Sequence, residues 1–211
     1  MKPMTPDQIV DFFTRPDGSY AFARWGRPIA PVVFGVADAT LEVLKGALEA
    51  VAALSGHKLA ETDPELGANL MFFFFEDWDE LVEVPNLEQL VPDLAGKVAE
   101  LKGAGANQYR FFRFDDDGAI QAAFVFLRMD AALSAMAAED VALAQVVQVM
   151  LLWGPGAFAG VSPLAHTPEG AVILRPEVAA VLRAAYDPVM PVAAKDASHA
   201  LRLAARMGAV E

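Results

Sequence analysis

The chain has 211 residues, 55% of them hydrophobic and 21% charged, with a formal net charge of -12. Without cysteine it has no disulfide framework, thiolate metal site or cysteine nucleophile, and its 16 Lys and Arg against 28 Asp and Glu argue against nucleic acid or anionic lipid as a partner. So apolar a composition can bury a sizeable core, and nothing in it resembles a flexible linker, so one domain is expected over 1–211, with the strands in 1–130 and a helical part in 131–211.

Thr5-Pro6-Asp7-Gln8 predicts a helix start: Thr as N-cap, Pro at the first helical position and Gln three residues after the cap. Pro16-Asp17-Gly18 ends that helix, and Ser19 to Trp25 and Ile29 to Val36 read as two strands, a hairpin or an offset pair, around Gly26-Arg27-Pro28. Asp38 is expected to cap the next helix, in which Leu41, Leu44, Leu48 and Val51 repeat at helical spacing up to Ser55-Gly56. Leu70 to Phe75 is apolar without alternation, the mark of a central strand covered on both faces.

Leu87, Leu90, Leu94, Val98 and Leu101 form a helical stripe that Pro92 should interrupt. Asn107 to Phe114 and Ala119 to Met129 read as a hairpin turning at Asp115-Asp116-Asp117-Gly118. Ala131 to about Trp153 reads as one long helix, the stretch from there to Gly170 as loop, and Pro176 to Tyr186 and Ala193 to Met207 as two closing helices. The predicted class is α+β: a mixed sheet of about four to six strands packed by helices.

The runs Leu70 to Phe75 and Val146 to Trp153 fall short of the roughly 20 residues needed to span a bilayer, and the amino-terminal residues show no secretory pattern. A cytoplasmic protein touching neither membrane nor nucleic acid is the expectation. His57, His166 and His199 are scattered, none with a second His at helical ligand spacing, and Asp115-Asp116-Asp117-Gly118 lacks the alternation and distant Glu of a calcium loop, so no metal or other cofactor is expected. The acidic run Glu76 to Glu83 reads as a solvated helix start, no Gly-x-Ser-x-Gly elbow is present, and Gly154-Pro155-Gly156 follows a helix instead of opening one. The most suggestive polar placement is Gln145 and Gln148, three residues apart on one helix face; buried, each amide needs a partner or a ligand. His166, read as a loop residue, and Tyr186 join them as candidate ligand contacts; no catalytic residue is assigned.

Arg24-Trp25-Gly26-Arg27-Pro28, leading into Ile29 to Val36, and Leu182-Arg183-Ala184-Ala185-Tyr186-Asp187-Pro188 together resemble a family of uncharacterised bacterial proteins with a zincin-like, metallopeptidase-related fold. The resemblance implies that fold and, in active relatives, a Glu-Glu-x-x-Gln signature on the helix matching Ala131 to Trp153. Here the window is Ala144-Gln145-Val146-Val147-Gln148, where only the last Gln fits. A zinc hydrolase needs nitrogen or carboxylate ligands and a base, which alanine and neutral amides do not supply. The expectation is a non-catalytic, metal-free member acting by ligand or protein binding, self-association into a homo-oligomer included. The alternatives are an enzyme of unrecognised mechanism near the carboxy-terminal part of helix 131–153, and a protein-interaction module.

Overall fold

The computed structural model describes residues 4–208. Helix α1 (Pro6–Phe13) opens on a reciprocal capping box: Gln8 N donates to Thr5 Oγ1 at 3.3 Å and Thr5 N to Gln8 Oε1 at 2.9 Å. It buries Ile9 and Phe13. Two strands follow, β1 (Phe22–Ala23) and β2 (Pro31–Phe34), and then α2 (Asp38–Ser55), which Gly56 closes in the left-handed conformation. Strand β3 (Leu70–Phe75) leads into three short helices, α3 (Glu80–Glu83), α4 (Leu87–Leu90) and α5 (Leu94–Gly103), the last two separated at Pro92. The hairpin β4 (Gln108–Phe114) and β5 (Ile120–Arg128) turns where Asp115 Oδ1 accepts from Asp117 N and Ala119 N. The remainder is α6 (Ala131–Ser134), α7 (Ala138–Met150), β6 (Leu164–His166), β7 (Val172–Leu174), α8 (Pro176–Ala185), β8 (Ala193–Ala194) and α9 (His199–Met207).

The class is α+β, built on a mixed four-stranded sheet in the order β2-β3-β5-β4. Strands β2, β3 and β5 run parallel, and β4 returns antiparallel to β5. Alternate residues of β5 serve two cores: Ala123, Val125 and Leu127 join α1, α2, α7, α8 and α9 on one face, while Ala122, Phe124 and Phe126 join Trp78 and α3 to α5 on the other. That double coverage is why the Phe-rich β3 shows no alternation. At the end of β2, Gly35 has φ +80° and a side chain there would stand 2.0 Å from Phe74 O, so only glycine fits.

Several expected elements take a different form. Ser19 to Trp25 does not pair with Ile29 to Val36: β1 pairs antiparallel with β8, far along the chain, and β2 pairs with β3. The bend at Gly26 is held by close packing, since a Cβ there would meet Ala119 Cβ at 2.8 Å. Ala37, not Asp38, is the N-cap of α2, with no side-chain cap bond. The single helix expected from Ala131 to Trp153 is two, because residues 134–139 are all exposed and an unpacked stretch gains little from staying helical; Asp130 caps the first piece through Ala132 N and Leu133 N. The loop expected before Gly170 holds the β6–β7 hairpin, so His166 ends a strand, and the last helix starts at His199, with β8 before it.

Candidate functional site

The four residues singled out in the sequence all contact α7, at separate points. Near its start, His166 Nε2 lies 3.2 Å from Asp140 Oδ2 in an exposed pair. At mid-helix Gln145, 2% exposed, donates from Nε2 to Gln108 Oε1 at 3.1 Å and accepts from Arg110 Nη2. Burial presses the Arg110 guanidinium down to about 10, which leaves it charged at neutral pH, and among the described residues no carboxylate pairs with it. Gln148 turns back on its own helix and donates to Ala144 O at 3.1 Å. At the far end, Tyr186 OH donates to Met150 O at 2.7 Å, and burial pushes its hydroxyl up from the usual tyrosine range. Asp140 and Met150 are ten positions apart, about 15 Å along a helix, so the four do not converge on one reacting centre.

The other histidines are structural. His57 Nε2 meets Arg27 O at 3.0 Å, and His199 Nδ1 meets Tyr20 OH at 2.8 Å with its ring 4.2 Å from that of Phe22. Burial lowers both, His199 to about 4. Among the described residues no group of three or more His, Asp or Glu side chains is placed to hold a metal ion.

A different place offers concavity. A groove of about 790 Å³ opens between α1, the 154–162 loop, the start of α8 and the end of α9. Its base is apolar: Phe12 from α1, Ala157 and Phe158 from the loop, Val178 and Ala180 from α8 and Met207 from α9. Phe12 and Phe158 are half-buried and rest on Trp153, at ring separations of 5.5 and 5.0 Å, and Trp153 stacks on Phe13 at 5.4 Å. The polar groups stand at the rim: the N-cap Thr5 with Gln8 and Asp11 of α1, Ser162 on the loop, and an Arg175–Glu177 ion pair at the start of α8.

The loop is stapled in place. Gly154 N donates to Phe12 O at 2.6 Å, Arg15 Nη1 reaches Trp153 O at 3.4 Å, and a Cβ on Gly154 would stand 2.5 Å from Thr14 O. Pro155-Gly156 then turns the chain so that Phe158 folds back over Trp153. In the sequence this stretch reads only as a helix stop and loop. Its partners lie on three separate helices, α1, α8 and α9, beyond the reach of any local pattern, and Phe12 and Phe158 carry no polar signature to mark them.

Neither this groove nor a smaller one of about 160 Å³ beside Trp78, Lys102 and Arg128 is lined by Gln145, Gln148, His166 or Tyr186. No family model, curated protein or solved structure matches the chain. No helix among the described residues is long and apolar enough to cross a membrane.

Proposed function

We propose that the chain acts by binding, without catalysis, and that it holds a small apolar molecule in the groove between α1, the 154–162 loop and α8. The observation that carries this is the groove itself: at about 790 Å³, with an apolar base and a few rim polar groups, it matches the size and lining of small-molecule sites. In this reading the protein is a cytoplasmic, metal-free relative of the zincin-like proteins it resembles, with Ala144 and Gln145 standing where a zinc hydrolase needs carboxylates.

Titration with N-phenyl-1-naphthylamine, a neutral apolar fluorophore, tests it. Saturable one-to-one binding with energy transfer from Trp153, abolished by Ala180→Phe, is expected. Ala180 is part-exposed on α8 and lines the groove, so the larger side chain fills the site without entering the core. Binding that ignores Ala180→Phe would contradict the reading.

One observation favours a second reading. The His166–Asp140 pair has the arrangement of a general base oriented by a carboxylate, so an enzymatic site would lie at the amino-terminal end of α7. Its test is turnover of a substrate that His166→Ala abolishes.

A further inference from the structure

We infer that the occupant of the groove is a cationic amphiphile, an apolar body ending in a protonated amine that meets the Asp11 carboxylate; this rests on the ligand-binding reading above and names its ligand class. The body follows from the base, where Phe12, Phe158, Val178 and Met207 offer only carbon and sulfur surface from their side chains. The head follows from the charges at the rim. Arg175 and Glu177 pair with each other and cancel, while the Asp11 carboxylate engages no hydrogen-bond or ion-pair partner among the described residues.

Among the described residues the net charge at the mouth is therefore negative, and the whole chain, at -12, adds a field of the same sign. An amphiphile with a carboxylate head would meet repulsion from both. One with an ammonium head gains the Asp11 contact and a raised local concentration. A neutral head would leave Asp11 solvated and gain only burial of the apolar body.

Three ligands of equal chain length, decylamine, decanol and decanoate, separate these contributions when titrated below their micelle thresholds at neutral pH, with Trp fluorescence as the readout. Trp153 reports because it lies against both Phe12 and Phe158. Decylamine should bind about threefold to fivefold more tightly than decanol, the upper part of the range of one exposed ion pair, with decanoate weakest. High salt should shrink the advantage, and Asp11→Asn should remove most of it while decanol binds as before. Equal affinity for decylamine and decanol, or an advantage undiminished in Asp11→Asn, would overturn the assignment of the head group and leave the apolar groove reading intact. No saturable binding of any of the three, or binding undisturbed by Ala180→Phe, would overturn both.

Discussion

The Arg24 guanidinium lies over the ring of Tyr186, 5.4 Å from its centroid, and so joins two segments that are remote in sequence. Around that contact, Trp25 Nε1 donates to Val149 O at 2.8 Å, Arg24 Nη2 to Met190 O at 3.1 Å and Tyr186 OH to Met150 O at 2.7 Å. Arg24, Trp25 and Tyr186 thus tie the carboxy-terminal end of α7 and the segment after α8 to the chain that leads into β2. Tyr186→Phe should cost about 1 kcal/mol in urea unfolding, the net value of one hydrogen bond, with the fold retained. An unchanged midpoint would show that the hydroxyl is not part of the tie.

Arg110 and Gln145 form a buried polar contact whose value depends on both members. Arg110→Met alone should destabilise by about 1–3 kcal/mol, because Gln145 Oε1 loses its donor while Gln108 Oε1 keeps only the one from Gln145 Nε2. Combining it with Gln145→Leu should recover part of that loss, since removing a buried polar group together with its partner is often close to neutral. A double-mutant cycle in urea measures the coupling; strict additivity would show that the two side chains do not support each other.

Asn69 is fully buried and makes three hydrogen bonds, accepting from Ala30 N at 2.8 Å and donating to Pro28 O at 2.9 Å and to Asp63 Oδ2 at 3.0 Å. Asn69→Ala strands all three partners at the entrance to β2 and should cost about 3 kcal/mol or more. A loss under about 1 kcal/mol in urea would mean that water replaces the amide there.

Acid should weaken the fold through His199. Its proton affinity falls from the ordinary 6.5 to about 4 on burial, so the unfolded chain binds a proton that the folded chain refuses between those values. Stability is then complete above about 6.5 and falls as pH drops towards 4, and His57, also lowered by burial, acts in the same direction. Asp63, Asp77 and Asp130 are held below the ordinary 3.8, so their contribution is lost only at lower pH. Urea midpoints from neutral pH down to about 4.5 should decline in the native protein and decline less in His199→Phe. Equal slopes would assign the acid sensitivity elsewhere.

Features set by near neighbours were legible in the sequence: the Thr5–Gln8 capping box, the Gly56 stop, the Asp115 to Gly118 turn and the break at Pro92 each rest on residues within a few positions of one another. The pairing of Phe22–Ala23 with Ala193–Ala194 was not, because two-residue strands carry no periodic pattern. Nor was the division of α6 from α7, which depends on residues 134–139 finding nothing to pack against. The polar candidates on α7 could be named because buried amides need partners; that Gln145 would find Arg110 from β4 depended on strand register. The groove was hidden because Phe12, Phe158, Val178 and Met207 come from separate parts of the chain and carry no polar mark that would group them.

Methionine methyl spectra test the location of the binding site most directly. Met4 and Met207 line the groove, whereas Met150 and Met190 sit away from it, beside Arg24 and Tyr186 at the carboxy-terminal end of α7. With 13C-methyl-methionine protein titrated with decylamine, the Met4 and Met207 resonances should shift in a saturable way while Met150 and Met190 stay fixed. Shifts confined to Met150 and Met190 would place the ligand against α7 and Tyr186, and would contradict a site in the groove.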